Sequence, residues 1–197
     1  RIFVTGIGVG KVLSDVSQRG GAKQRVNDGM RQRIGVRVTA QAFLMRYLDA
    51  TEDKAAAFNE PVQVIAHADA IHAIAQRPEI FQGKNFLFTP HGYEFFVLTG
   101  KEVIGKSDEE RIKITQEEAI RLKTTILLKG KIDVVSDGKE TAISKTGNAF
   151  MTVGGCGDTL AGIAGALMAR GISPFLAGQA AAFINGKAGE IASRTAV

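Results

Sequence analysis

A glycine-rich segment carries an acidic residue into the start of a predicted helix. The segment Gly154–Asp158 consists of three glycines, Cys156 and Asp158. The residues that follow, Leu160–Met168, have the apolar spacing of an amphipathic helix. Backbone amides without Cβ hindrance at the positive end of a helix dipole bind phosphate or another anion. Asp158 is then either the N-cap of the helix or a base that takes a proton from a group attacking phosphorus.

Further polar residues follow predicted strands, where ligands collect in open α/β sheets. His91 comes soon after one strand, and it is either a loop histidine or a functional one. Lys129 ends another strand, and it is either a strand-end lysine beside a hairpin or a ligand contact. The run Gly6–Gly10 follows the first strand-like run and is either a structural turn or a ligand loop. The predicted strands are Ile2–Val4, Val62–Ala66, Asn85–Phe88 and Thr125–Lys129.

The order of elements predicts an α/β fold that would place these residues along one sheet edge. Strands alternate with helical segments, which include Val38–Leu48 and Ala55–Phe58, and this order is typical of a mostly parallel sheet. Asp137-Gly138 between Ile132–Ser136 and Glu140–Ser144 predicts a type I′ hairpin. We therefore expect a mostly parallel sheet with helices on both faces and an antiparallel edge hairpin.

Capping signals predict where several helices begin. Ser107 and Thr115 each precede a glutamate by three residues, which is the capping-box pattern, and the second predicts a helix over Gln116–Lys123. Ser173 before a proline predicts the start of a helix over Pro174–Ala192. That helix is rich in Ala and Gly, which favours close packing within the fold or between subunits.

Composition places the chain among ordinary globular proteins. The 197 residues are 45% hydrophobic with a net charge of +5, and they fit a single domain over 1–197. The basic residues of Lys11–Arg37 lack interleaved aromatics, so we interpret them as solvated surface and expect no nucleic-acid partner. One cysteine, Cys156, fits a reducing, cytoplasmic location, and we expect no membrane association. Because the chain opens inside a strand-like run without Met, we expect the N-terminal part of the domain to be missing.

Several stretches in fixed order resemble one family. They are similar to motifs of the NAD(P)H-hydrate dehydratase branch of the ribokinase-like superfamily, and the similarity extends over about Val62–Ala192. The three main stretches are Asn85–Glu94, Leu127–Asp133 and Gly154–Gly162, with weaker matches at His67–Ile71 and Gly6–Gly10. The chain departs from the family pattern at several places: His67 stands for the usual Asp, Gly92-Tyr93 for Pro-Gly, Cys156 for Thr or Ser, Ile7 for Pro and Val9 for Leu.

The resemblance implies a ribokinase-like fold and a nucleotide-dependent repair reaction. Hydrated NADH and NADPH carry a hydroxyl on the damaged nicotinamide ring. The family phosphorylates that hydroxyl with ADP or ATP and then expels phosphate, which restores the ring double bond. Magnesium would be held by nucleotide phosphates and waters, so no protein metal ligands are expected.

The resemblance also assigns roles to residues. Asp158 would be the catalytic base and would contact the substrate. The amides of Gly155, Cys156 and Gly157 would stabilise the transferring phosphoryl group. The expected nucleotide contacts are Lys129, Gly130, Lys131, Ile132, Asp133 and Gly157, and the other expected substrate contacts are Gly8, Gly10 and His91.

Two other functions remain open on the sequence. A small-molecule kinase of the same superfamily would use the same phosphoryl-transfer residues, and an inactive nucleotide-binding module would retain the fold. The sequence does not choose between ADP and ATP, or between NADHX and NADPHX. It leaves open whether an epimerase is fused or separate, and we expect a homo-oligomer.

Overall fold

The computed structural model describes residues 2–5 and 63–195, with side chains described over 63–194. Six strands are present in these ranges: β1 Ile2–Thr5, β2 Gln63–Ala66, β3 Asn85–Phe88, β4 Thr125–Leu128, β5 Asp133–Ser136 and β6 Thr141–Ser144. The α-helices are α1 Asp69–Ile74, α2 Gly92–Thr99, α3 Asp108–Leu122, α4 Cys156–Ala169 and α5 Pro174–Thr195. Short 3-10 turns lie at Pro78–Ile80 and Ala149–Met151.

The described strands form one sheet in the order β1-β2-β3-β4-β5-β6. The first four strands are parallel, and β5 and β6 add an antiparallel edge. The predicted mostly parallel sheet with an antiparallel hairpin is therefore confirmed. Because β2, β3 and β4 run in the same direction, the residues that follow each of them meet at one edge of the sheet.

Alternate residues of the strands point into two separate cores, as the two-residue period of a strand requires. Val64, Phe86 and Ile126 pack on one face with α1, α2 and α3. Ile65, Leu87 and Leu127 pack on the other face with α4 and α5. Strands β2, β3 and β4 are almost fully buried because both faces of the sheet are covered there, which explains their largely apolar sequences. The predicted placement of helices on both faces is confirmed.

The hairpin between β5 and β6 does not contain the predicted type I′ turn, so that prediction is wrong. Ser136 pairs with Thr141, so the connection has the four residues between them. Gly138 has a φ of 90°, but Asp137 is not among the residues with positive φ, and a type I′ turn requires positive φ at both central residues. The Asp137 carboxylate instead accepts hydrogen bonds from the amides of Lys139 and Glu140 at 2.9 and 2.8 Å. These bonds stabilise the longer loop.

One of the two predicted capping boxes is confirmed and the other is wrong. Ser107 caps α3 and accepts from the Glu110 amide, while the Glu110 carboxylate accepts from the Ser107 amide. Thr115 lies inside α3, and its hydroxyl donates to the Arg111 carbonyl at 2.7 Å. The helix is continuous through the position where the sequence predicted a start. A threonine within a helix can donate its hydroxyl hydrogen to a carbonyl of the preceding turn, so this residue type does not require a helix start.

Two other features complete the comparison with the sequence predictions. Helix α5 begins at Pro174 as predicted and continues to Thr195. The Gly6–Gly10 run, with Gly8 and Gly10, and the helical segments Val38–Leu48 and Ala55–Phe58 lie outside the described residues. Among the helices that are described, none combines the length and the apolar character needed to cross a membrane.

Candidate active site

The glycine-rich segment forms the first turn of α4. Gly155 is the N-cap residue with a φ of 98°, and Asp158 is the third residue of the helix. The cap interpretation of Asp158 is therefore wrong, because the cap position is taken by a glycine in the left-handed region. Close to half of the Asp158 side chain is exposed, at 45%. The first turn of a helix leaves its amides without intrahelical partners, so an anion and the Asp158 carboxylate can meet at this helix end.

His67 lies directly behind Asp158. It follows β2, it is buried, and its Nδ1 lies 2.8 Å from the hydroxyl of Thr89, which follows β3. Its Nε2 lies 3.6 Å from Oδ1 of Asp158. Burial, with the Lys129 charge as a smaller cause, holds the pKa of the imidazole below its usual value.

Gly157 allows α4 to approach this group closely. A Cβ at this position would lie 2.9 Å from Cε1 of His67 and 3.3 Å from Nζ of Lys129. Real Cβ atoms almost never approach a ring carbon so closely. The missing side chain therefore lets the imidazole and the lysine reach the start of the helix.

Lys129 joins the start of α4 to a second cluster at the start of α2. Its Nζ lies 3.6 Å from Glu94 Oε2, and its amide donates to the Pro90 carbonyl at 2.8 Å. Burial lowers the pKa of the ammonium, and the carboxylate of Glu94 opposes that shift. A partly buried cation near a helix N-terminus is suited to neutralising charge on a phosphate group.

His91 caps α2 in a form of the capping box. Its Nδ1 accepts from the amides of Tyr93 and Glu94 at 3.2 and 3.4 Å, and its own amide donates to Glu94 Oε2 at 2.8 Å. Half of the His91 side chain is exposed. The residue thus has a structural role as a cap, and its Nε2 lies 3.5 Å from Oε1 of Glu94.

The turn after β4 is fixed from two directions. The Gly130 amide donates to Oδ1 of Asp133 at 3.0 Å, and burial raises the pKa of that carboxyl. The guanidinium of Arg111, from α3, donates to the carbonyls of Lys129 and Ile132 at 3.2 and 3.4 Å. The side chain of Ile132 is buried, so this residue offers only its backbone to a ligand.

A cavity of about 950 Å³ connects the Lys129–Lys131 turn to the start of α4. Its lining includes His91, Asp133, Lys145, Cys156, Gly157 and Asn185. Asn185 from α5 donates to the Cys156 carbonyl at 3.3 Å, which ties the first turn of α4 to its neighbour helix. The cavity is large, open and rich in cationic and amide groups, as a phosphorylated ligand requires.

The structure brings most of the predicted site residues together. Those around the cavity are Lys129, Gly130, Lys131, Asp133, His91, Cys156 and Gly157, and Asp158 follows directly on the helix. Among the residues over 63–194, no group of three or more His, Cys, Asp or Glu side chains could hold a metal ion. A magnesium ion carried by nucleotide phosphates fits a lining of lysines and amides.

Sequence reasoning missed three contributors, Thr89, Glu94 and Arg111. Glu94 had a signal, since it stands three residues after a cap residue, but His is not among the usual caps. Thr89 had only its place after a strand. Arg111 had none, because its contact with the turn depends on how α3 packs across β4 and β5.

The chain matches one family over most of its length. The sequence profile described as NAD(P)H-hydrate dehydratase matches residues 46–197. A bifunctional NAD(P)H-hydrate repair enzyme of Hyperthermus butylicus is 40% identical over 131 residues, which are 66% of this chain and 24% of that protein. An ADP-dependent (S)-NAD(P)H-hydrate dehydratase of Cenarchaeum symbiosum is 46% identical over 114 residues, which are 56% of this chain and 38% of that protein.

Solved structures agree with the ribokinase-like fold. The alignment with a ribokinase-like superfamily protein of Enterococcus faecalis covers 80% of this chain and 52% of that protein. The sequence identity is 26% and the TM-score is 0.62. An ADP/ATP-dependent NAD(P)H-hydrate dehydratase of Bacillus subtilis, co-crystallised with ATP/Mg²⁺, has 26% identity and a TM-score of 0.57, covering 69% of this chain and 48% of its own. The chain thus spans about a quarter to a half of the proteins that it matches.

Proposed function

Since the chain belongs to the NAD(P)H-hydrate dehydratase family, we propose that it dehydrates the (S)-hydrates of NADH and NADPH in a nucleotide-dependent reaction. The observation that carries this proposal is the position of Asp158. Its half-exposed carboxylate stands at the start of α4, directly after the cavity-lining Gly157 and close to the partly buried Lys129 and the buried His67. The curated relatives with NAD(P)H-hydrate repair names support the substrate class.

In the proposed reaction Asp158 takes the proton from the ring hydroxyl of the hydrate, and the resulting oxygen attacks the terminal phosphoryl group of ADP or ATP. The amides of Gly155, Cys156 and Gly157 donate to the phosphoryl oxygens as charge develops. The ester then loses phosphate, the C–O bond breaks, and loss of a ring proton restores the double bond. Magnesium, when bound with the nucleotide, neutralises phosphate charge, and Lys129 and Lys131 would hold that complex through its phosphates.

The test is recovery of reduced-nicotinamide absorbance from chemically hydrated NADH and NADPH. The protein is incubated with magnesium and with ADP or ATP in turn, and we expect recovery that depends on nucleotide. No recovery with either nucleotide contradicts the proposal. Stoichiometric phosphate transfer to a simple alcohol would instead support the small-molecule kinase, and nucleotide binding without transfer would support the inactive module.

Asp158→Asn tests the base within the same assay. The amide keeps the shape of the side chain but accepts no proton at neutral pH, so we expect a loss of kcat of at least about 100-fold with little change in nucleotide affinity. Asp137→Asn in the hairpin loop is the matched control, since its Oδ1 acceptor is retained far from the cavity. Full activity of Asp158→Asn would overturn the mechanism.

We also propose that the chain works as one domain in the cytoplasm, beside an epimerase that is fused or separate. Relatives with bifunctional repair names support the second point. An epimerase would be needed because the dehydratase is proposed to act on the (S)-hydrate alone.

For self-association we propose a second copy of the chain against α5. Leu176, Phe183, Ile184 and Ile191 are exposed along this helix. An antiparallel pair of α5 helices around a two-fold axis between positions 183 and 184 places Leu176 against the partner's Ile191 and Phe183 against the partner's Ile184. Such a self-complementary stripe is what an isologous interface requires.

Molar mass in solution tests this interface. We expect the wild type to exceed the monomer mass and Ile191→Glu to lower it, because a buried glutamate without a partner opposes association. Ile120→Glu on the exposed side of α3 is the matched control and leaves the mass unchanged. A monomeric wild type, or an unchanged mass in Ile191→Glu, contradicts the proposal.

A further inference from the structure

His67 is a buried titratable group next to the proposed catalytic base. Only 4% of its surface is exposed. The backbone turns sharply after it, since Ala68 has a φ of 50°, in the left-handed region that a residue with a Cβ adopts only with strain. The fold thus tolerates strain directly beside the ring.

The contacts of the ring indicate which of its two nitrogens carries the proton. Asp158 Oδ1, which lies 3.6 Å from Nε2, belongs to a carboxylate and can only accept. Nε2 must therefore carry a proton if the two groups attract. In a neutral ring Nδ1 is then an acceptor, so the Thr89 hydroxyl, 2.8 Å away, is the donor.

The surroundings also decide the charge of the ring. Four groups face it from the elements packed around it: Lys129 after β4, Glu94 on α2, Asp158 on α4 and Thr89 after β3. Burial and the Lys129 charge oppose protonation, while Glu94, Asp158 and a backbone hydrogen bond with Thr89 favour it, and the result is a lowered pKa. The imidazole is therefore neutral at pH 7.

We propose that His67 is a positioning residue for Asp158, in which a neutral ring accepts from Thr89 at Nδ1 and presents its Nε2–H to the Asp158 carboxylate. A neutral donor orients the carboxylate, whereas a cation would also reduce its basicity. An aspartate at position 67 would instead place a second negative charge beside the base. This inference rests on the proposed function for its kinetic consequence, while the tautomer of the ring and its response to Asp158 are measurable without turnover.

The first experiment is a long-range ¹H–¹⁵N spectrum of the ¹⁵N-histidine-labelled protein. The chain has three histidines, so His67→Gln and His72→Gln assign the signals. We expect His67 as the Nε2-protonated tautomer at pH 7, with an ionisation below 6.5, and a lower ionisation still in Asp158→Asn because a favourable negative charge is removed. The opposite tautomer, a charged ring at pH 7, or no response to Asp158→Asn overturns the proposal.

The second experiment is kinetic. His67→Leu removes the donor at similar volume, and we expect kcat to fall about 10- to 100-fold while the nucleotide KM stays within about twofold. His67→Gln keeps an N–H donor without a titratable ring, so it should retain most of kcat. The decrease of kcat in acid that protonation of His67 causes should be absent from this variant. Thr89→Val should fall between these two, because the ring loses the donor that selects its tautomer.

His72→Gln is the matched control, since this histidine lies on α1 against Tyr93 and outside the cavity lining. It should leave kcat and the pH profile unchanged. Equal losses in His67→Gln and His67→Leu, or a parallel loss of nucleotide affinity, would mean a merely structural role and overturn the proposal. An inactive wild type with the expected tautomer and Asp158 response would reject the dehydratase function while upholding the contact.

Discussion

At the scale of single residues, Gly157 decides how close α4 comes to the groups behind it. His67 and Lys129 both occupy the space where its side chain would lie. Gly162 is in the same helix, and a Cβ there would meet nothing within 4 Å. Substituting each glycine by alanine therefore distinguishes the effect of helix propensity, which both variants share, from the effect of close approach, which concerns Gly157 alone.

Gly157→Ala should lower kcat at least about tenfold and destabilise the protein by about 1–3 kcal/mol, because the ring or the helix must shift. Gly162→Ala should stabilise the protein by up to about 1 kcal/mol and leave kcat unchanged, because alanine favours a helix without a clash. Thermal unfolding and steady-state kinetics measure both effects. Equal behaviour of the two variants would show that the close approach is unimportant.

The lowered pKa of His67 also makes stability depend on pH. Because the folded state binds a proton less readily than the unfolded state, its contribution is fully present above the unfolded value of 6.5 and is lost as the pH falls through the folded pKa. We expect the free energy of unfolding, measured in urea between pH 5 and 8, to fall with acid. His67→Gln should show a smaller slope than the wild type, and His72→Gln should keep the wild-type slope.

At the scale of elements, the start of α2 combines a cap with a predicted substrate contact. His91→Ala should cost about 0.5–2 kcal/mol of stability, because two amides lose their acceptor. His91→Asn restores a cap acceptor and should recover that stability. If Nε2 also contacts the substrate, Asn should not restore the substrate KM, so unfolding and kinetics together distinguish the two roles.

The elements also show where sequence patterns suffice. The strands and the carboxyl-end residues could be predicted because apolar runs and their order set the sheet. The predictions at Thr115 and Asp137 were wrong because each short sequence pattern is compatible with two local structures. Thr115 bonds to the preceding turn of a continuous helix, and Asp137 bonds to amides of a longer hairpin loop. The His67–Thr89 pair and the Arg111 contact join residues far apart in sequence, so no local pattern could predict them.

At the scale of the whole molecule, the cavity lies between the edge of the sheet and the layer formed by α4 and α5. The Lys129–Lys131 turn follows the sheet, whereas Gly147, Cys156 and Asn185 lie on the side of α4 and α5. A nucleotide that binds only the folded protein should therefore stabilise it as one unit, by about 2.7 kcal/mol at a hundred times its dissociation constant.

Thermal unfolding with ADP, ATP and magnesium measures this stabilisation. We expect a single transition that moves to higher temperature with nucleotide, and a smaller shift in Lys129→Met because a cation is missing from the cavity. Lys113→Met on the exposed surface of α3 is the control and should keep the full shift. No shift with either nucleotide contradicts nucleotide binding.

Helix α4 packs against β1 and β2, although it follows β6 in the chain. Residues about 150 positions apart must therefore meet before the first turn of this helix has a surface to pack on. On a ribosome, the edge of the sheet with His67, Thr89 and Lys129 emerges well before Asp158 does. The proposed base thus joins its partners only after β5, β6 and the start of α4 have been made, so a nascent chain that stalls before α4 has the ligand-binding edge without the group that would perform the chemistry.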